Sequence, residues 1–335
     1  MKRTALLLLV TGVLLSLPGF AQKQYKLANT VKLGGEGGWD YLTYEQGAHR
    51  VFITRGTHVM VVDTQTLKPV GDIPDLNGIH GVALAPGMNK GFISNGGDDS
   101  VAVFDLKTLK VSDRIKVGGR PDAILYEPFS KHVFTFNAKS QDSTVIDPAT
   151  GKVLATIALG GKPEFPASDG KGKVFVNIED KGELAVIDVN KNNATAHWPL
   201  KGCEDPSALA FDTAHNRLFS GCGNKVMAVT DAASGAQVAT VPIGAGVDAG
   251  AFDPKTQEVY MSCGDGTLAI IHQDSPDKYS VKQTVATARG ARTMALDSDT
   301  NTIYLVTAQF GEKGPNDRRP PMVPGTFELL VVKED

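Results

Sequence analysis

Asp122-Ala-Ile-Leu-Tyr126, Glu127-Pro-Phe-Ser130, His132-Val-Phe-Thr-Phe136, Ser143-Thr-Val-Ile146, Asp147-Pro-Ala-Thr-Gly151 and Val153-Leu-Ala-Thr-Ile-Ala-Leu159 follow one another near the middle of the chain. Short runs rich in β-branched and aromatic residues, separated by turn formers, read as four antiparallel strands of ordinary length. The same unit occurs seven times. Its second-strand aromatic recurs as Phe52, Phe92, Phe134, Phe175, Phe219, Tyr260 and Tyr304, at intervals of 40, 42, 41, 44, 41 and 44 residues. A period of this size filled with short strands is the signature of a propeller blade. The expected architecture is all-β, a seven-bladed β-propeller with four antiparallel strands per blade.

The residue ending each third strand keeps the same beat as Asp63, Asp105, Asp147, Asp188 and Asp231, with His272 and Lys333 in the last two registers. Aspartate in that place bonds the backbone two residues on and shapes the turn. The N-terminal run Tyr25-Lys-Leu-Ala-Asn-Thr-Val-Lys-Leu33 has the pattern of a fourth strand, and the chain ends after the third strand of blade seven. The N-terminal strand is therefore expected to complete blade seven, leaving no free sheet edge in that blade to template aggregation.

Residues 1–21 read as a targeting segment: Lys2 and Arg3, a short apolar core from Leu6 to Leu17, and Gly19-Phe-Ala21. Cleavage after Ala21 would leave residues 22–335 as one propeller domain in the periplasm or outside the cell. The apolar core is too short for a permanent membrane anchor. Without Lys2 and Arg3 the chain has 32 basic and 37 acidic residues, a net charge of −5. No blade carries the clustered Lys and Arg that phosphate neutralisation requires, so no nucleic-acid partner is expected.

Cys203 enters blade five, Cys222 ends its second strand and Cys263 holds the equivalent place in blade six. All three belong on one face. An oxidising compartment favours a Cys203–Cys222 bridge; free thiols, or a soft-metal site using Cys222 and Cys263, are the alternatives. Pairing the hairpin about Thr213 sets Cys222 opposite Ser207.

Aligning the units on the glycine or proline before each innermost strand gives one position per blade: Asp40, His80, Asp122, Glu164, Ser207, Asp248 and Arg292. Innermost strands line the central channel, so these side chains are expected at its mouth. A ring of solvated charges around a water-filled channel is the plain explanation. Against it, one arginine cannot neutralise four acids, and crowded carboxylates raise one another's pKa or recruit a cation. Asp122, Glu164 and Asp248 would then hold Ca²⁺ or Mg²⁺. The second-strand ends add Arg55, Asn95, Asn137, Glu179, Asp180 and Asn224 as an expected polar collar. Blade seven carries an insertion from Ala308 to Gly325, with Arg318, Arg319 and a Pro-Pro-Met-Val-Pro run, read as a lid or rim contact or as an excursion without a role. Among the histidines only His80, with His58 behind it, is a candidate base or ligand. Gly34-Gly-Glu-Gly-Gly-Trp39 leads into a strand, unlike a phosphate loop, and no triad, zinc or dinucleotide motif is present.

Val103-Phe-Asp-Leu-Lys-Thr-Leu-Lys-Val111, Gly118-Gly-Arg-Pro-Asp-Ala-Ile124 and Val145-Ile-Asp-Pro-Ala-Thr-Gly-Lys-Val153 resemble the repeats of YVTN propellers. Gly38-Trp-Asp-Tyr-Leu42, Leu218-Phe-Ser-Gly-Cys-Gly-Asn-Lys225, Gly290-Ala-Arg-Thr-Met-Ala-Leu-Asp297 and Pro324-Gly-Thr-Phe-Glu-Leu-Leu-Val-Val332 are similar to the exported bacterial YncE-like family. The resemblance spans the mature chain and implies the seven-bladed fold and export. Two enzyme classes share that scaffold, a streptogramin-inactivating lyase pairing His with Mg²⁺ and the 6-phosphogluconolactonase-like hydrolases, but their site patterns do not match residue by residue. Fold alone is a weak warrant for chemistry. Three functions follow as expectations: binding a small molecule, cation or protein partner at the mouth; metal-assisted lyase or hydrolase chemistry with His80 moving a proton, Glu164 on the metal and Arg292 stabilising an oxyanion; or a structural scaffold.

Overall fold

The computed structural model describes residues 23–314 and 320–335. The targeting segment, and Arg318 and Arg319 of the insertion, lie outside the described residues. Seven four-stranded antiparallel sheets form the ring. Their first strands are Leu42–Glu45, Ile79–Ala85, Pro121–Glu127, Pro163–Ser168, Pro206–Asp212, Val247–Asp253 and Met294–Asp297. Fourth strands such as Val153–Ala158 and Val111–Lys116 are largely exposed and form the rim.

The sevenfold aromatic beat has a packing cause. Every one of the seven rings is buried, and each enters a cluster with the following blade. Phe52 packs with Ile93, Phe92 with Val133, Phe134 with Val174, Phe175 with Leu218, Phe219 with Val259, Tyr260 with Ile303 and Tyr304 with Val51. Neighbouring sheets splay apart towards the rim, and a large ring is what fills that wedge. Truncating such a ring to alanine removes about 3–5 kcal/mol.

The five repeating aspartates shape turns as expected. Asp63 Oδ1 accepts from the amides of Gln65 and Thr66, Asp105 from Lys107 and Thr108, and Asp147 from Ala149. Asp188 and Asp231 repeat the arrangement.

Tyr25–Lys32 pairs antiparallel with Glu328–Glu334, so the first strand completes blade seven. The closure is also fixed sideways to blade six. The Tyr25 amide donates to Gln283 Oε1 (2.9 Å), whose Nε2 donates to the Tyr25 carbonyl (2.7 Å). Tyr25 and Tyr260 hydroxyls both donate to Glu258 Oε2, at 2.7 and 2.8 Å, and Lys282 bridges Glu258 to Glu334.

A Cys203–Cys222 disulfide, with Cα atoms 5.3 Å apart, ties the loop entering blade five to the end of its second strand. Cys222 is thereby unavailable to a soft metal, and Cys263 is a buried thiol that burial pushes up to about 12. Cys222 pairs with Pro206, not with Ser207 as simple hairpin counting gives, because a bulge intervenes before Leu209.

Candidate functional site

That bulge recurs in five of the seven blades and shapes the site. The register slips between Ile79 and Val82, Pro121 and Ile124, Pro163 and Pro166, Pro206 and Leu209, and Val247 and Ala249. Each slip contains one of His80, Asp122, Glu164, Ser207 and Asp248. A bulge adds a residue to one strand and re-aims side chains, here turning a polar group to the channel while the rest of the strand keeps its apolar packing.

The preceding blade then holds the bulged backbone. Thr54 donates to the His80 carbonyl (3.0 Å), Ser94 to that of Asp122 (2.5 Å), and Asn177 to that of Ser207 (3.2 Å). Ser262 donates to the Arg292 carbonyl (2.6 Å) and Thr293 to that of Asp40 (2.8 Å). Sequence reading passed over these residues. Their signal was a small polar residue inside otherwise apolar second strands, as at Ser94 and Ser262.

The ring positions do converge. His80 Nδ1 lies 2.6 Å from Asp40 Oδ2 and 3.5 Å from Asp122 Oδ1. Arg292 Nε donates to Asp248 Oδ2 (2.5 Å), and its Nη2 lies 3.9 Å from Asp40 Oδ1. Ser207 Oγ donates to Asp248 Oδ1 (2.7 Å). Lys162, not foreseen, pairs with Glu164 (2.6 Å) and with Glu179. Together with Tyr41 and Arg120 these groups, Ser207 apart, line a cup of about 470 Å³.

At the base of the cup one side chain links blades one and four. Tyr41 is buried and crosses the axis from blade one. Its hydroxyl donates to Glu164 Oε2 of blade four (3.4 Å), and its ring meets Phe165 edge-on with centroids 5.1 Å apart. Burial pushes the phenol well above its ordinary pKa and keeps it a donor.

Charge balance in the cup also differs from the expectation of four acids against one arginine. Asp248 has Arg292, Glu164 has Lys162 and Asp40 has His80, while Arg120 makes no side-chain ion pair among the described residues. Asp122 is the least compensated. Burial, which disfavours ionised carboxyls, pushes Asp122 up to about 6 and Glu164 up to about 8, with neighbouring acids adding to the shift and His80 or Lys162 opposing it. Burial also raises Asp40 against the pull of its His80 hydrogen bond. For His80, burial acts downwards, but the Asp40 bond and the Asp122 charge outweigh it, so the imidazolium is favoured.

The expected metal trio of Asp122, Glu164 and Asp248 is not the set whose donor atoms meet. Asp40, His80 and Asp122 are, with one ligand atom from each lying within 4.8 Å of the others. Glu164 and Asp248 are turned to their own cations. The expected collar is mostly internal scaffolding. Asn95 is buried and its amide donates to the Ile93 carbonyl, while buried Asn137 donates to Asp142 and Thr144. Neither presents its amide to the cup. Asn224 and Asp180 accept from loop amides, and only Glu179 of that group lines the cup. His58 sits elsewhere, 3.8 Å from Asp72.

Arg55 explains the glycine-rich loop. Fully buried, it stacks 3.5 Å from the Phe327 ring centroid and donates to the carbonyls of Gly34, Glu36, Gly37 and Gly38. The loop thus presents oxygens to a cation, the reverse of a phosphate cradle. Gly37 is required there: its φ is +88°, and a Cβ would lie 2.8 Å from the Arg55 carbonyl oxygen.

No family model and no curated protein matches the sequence. Solved structures match the fold. A chain from the crystal structure of a mitotic checkpoint complex superposes with a TM-score of 0.75 at 13% identity, over 99% of both chains. Kuenenia stuttgartiensis hydrazine synthase gives 0.68 at 18% identity, over 86% of this chain and 95% of that one. Identities so low speak for the propeller alone. No helix among the described residues is long and apolar enough to cross a membrane.

Proposed function

We propose that the protein is a binding protein whose cup takes a small polar ligand, and that it belongs with the exported YncE-like propellers. One observation carries this reading: six ionisable groups from six blades, four of them set by bulges, line one cup of about 470 Å³. Fixed acceptors and donors around the cup suit a ligand bearing hydroxyl or ammonium groups, with Asp122 as the carboxylate left to receive them. Export after Ala21 is part of the proposal, and the Cys203–Cys222 disulfide supports it because such bonds persist in oxidising compartments. The test is a thermal-shift screen of the mature protein against amines, amino acids and sugars, with Asp122→Ala/Glu164→Ala as control. A saturable rise in Tm that the double variant loses is expected. An unchanged Tm throughout, with the variant indistinguishable from wild type, overturns the reading.

A divalent ion is the second reading, favoured by the meeting of Asp40, His80 and Asp122. An imidazole among the donors suits a transition ion better than Ca²⁺ or Mg²⁺. The raised pKa of His80 works against it, since the ion has to displace a favoured proton. Metal-assisted hydrolysis or elimination would need that ion, with Arg292 left to stabilise developing negative charge. Zinc or manganese titration followed by chelator, with His80→Ala as control, separates this from the first reading.

A further inference from the structure

A second cavity of about 420 Å³ adjoins the cup and shares Arg292 with it. It is lined by Gly246, Gly264 and Gly290, by Phe310 and Pro320 of the blade-seven insertion, and by Asp265, whose carboxylate already accepts from the Ala245 amide and from Thr267 Oγ1. The glycines keep it open. At Gly290, where φ is +85°, a Cβ would lie 2.8 Å from the Phe310 ring, so any side chain there would displace the wall. Phe310 is in turn held by Trp39, with centroids 6.0 Å apart, and by the bridge from Phe310 to Met322. Arg289 stands at the edge, exposed and without a side-chain hydrogen bond or ion pair among the described residues. Arg292 uses Nε on Asp248 and reaches Asp40 only at 3.9 Å, which leaves Nη1 without a partner among the described residues.

Flat backbone facing an aromatic wall suits a planar apolar group, and two under-used guanidiniums suit a carboxylate beside it. We infer that this shelf binds the aromatic portion of a ligand whose carboxylate lies between Arg289 and Arg292, the same ligand's polar end resting in the cup. The inference rests on the cup being a binding site and names the class of ligand: an aromatic carboxylate carrying a further hydroxyl or ammonium group. Acids of the cup accept at one end, arginines donate at the other, and the shelf selects for the ring.

The probe is 3-phenylpropionate, which engages the shelf and the arginines without needing the cup. Trp39 and Trp198 are the two tryptophans, so in a Trp198→Phe background the emission of Trp39, which touches the shelf wall, reports occupancy. Saturable quenching by 3-phenylpropionate is expected, with propionate and 3-phenylpropanol binding at least about tenfold more weakly, since a charge-assisted hydrogen bond and a buried ring each contribute that much. Arg289→Gln, an exposed change that leaves the fold intact, should weaken the probe roughly tenfold, and Phe310→Ala should erase its advantage over propionate. Equal affinity for the three probes, no saturation, or an Arg289→Gln variant that binds normally overturns the inference. Such a failure leaves the cup reading standing, because that is scored with the aliphatic amines, aliphatic amino acids and sugars of the screen, which carry no aromatic ring. Conversely, an inert cup with intact phenylpropionate binding removes both the cup reading and the bridging ligand, and leaves only ring and carboxylate binding at the shelf.

Discussion

The two faces of the disc use the same residue type in opposite ways. On the face of the strand-three turns, Asp63, Asp105, Asp147, Asp188 and Asp231 accept bonds from turn amides or hydroxyls, which pull their pKa below the usual carboxylate range; for Asp188 the Lys191 ammonium acts likewise. On the cup face, burial pushes Asp122 and Glu164 up. The first set is ionised because the fold rewards it, and repeats because every blade needs the same turn. The second is set against the fold's preference and differs from blade to blade. A repeat that keeps its acids in register is building; a position that changes from Asp to His to Glu to Arg around the ring is free to specify something else.

The sharpest way to break that contrast lies on the turn face. Glu127, buried at the end of the first strand of blade three, accepts from the amides of Phe129 (3.1 Å) and Ser130 (2.6 Å) and from Ser168 Oγ (2.9 Å). Glu127→Ala should lower unfolding free energy by about 3 kcal/mol, measured by urea denaturation. A loss no larger than that of Glu164→Ala would abolish the distinction between the faces.

A pH profile sharpens it with a smaller effect. Carboxyls whose folded pKa is raised contribute stability that is complete below their unfolded values of 3.8 and 4.5, and lose it as pH climbs through about 6 for Asp122 and about 8 for Glu164. The turn aspartates have the reverse sign: their contribution is present above the unfolded value and is lost in acid. Asp122→Asn/Glu164→Gln should therefore flatten the decline between about pH 4 and 8, with a gain on the order of 1–2 kcal/mol at pH 8 and little change at pH 4. Calorimetric Tm across that range checks it; a gain at pH 4 that vanishes at pH 8 would refute the sign. The smallest effect belongs to the exposed Lys255–Asp299 pair (2.7 Å). Lys255→Ala should leave Tm unchanged within error, because solvent screens such pairs.

How much of this was legible follows from the physics of repetition. The aromatic wedge and the aspartate turns solve the same local problem in each blade, so they show in a single chain as a period. The N-terminal strand was legible because Tyr25–Lys32 has a fourth-strand pattern and blade seven lacks a fourth strand of its own. The ring positions were found because the bulge falls at a fixed offset from a glycine or proline. Tyr41 escaped because it occurs in one blade alone, and Arg120 and Lys162 because they stand two residues before the ring position rather than on it, although Gly118-Gly-Arg-Pro-Asp122 and Gly160-Gly-Lys-Pro-Glu164 repeat that place in two successive blades. Asn95 and Asn137 misled because the end of a second strand was taken as loop. Strand pairing continues through Asn95 opposite Ile79 and Ser100, which carries that amide into the sheet.

Tyr41 carries one more consequence. Wedge-shaped sheets in a ring can flatten towards an oval without breaking a hydrogen bond inside any of them. A phenol rooted in blade one and seated against Phe165 and Glu164 of blade four spans the diameter like a spoke. The phenol of blade one and the carboxylate of blade four therefore share one contact, and whatever displaces Glu164 also frees Tyr41 on the far side of the opening.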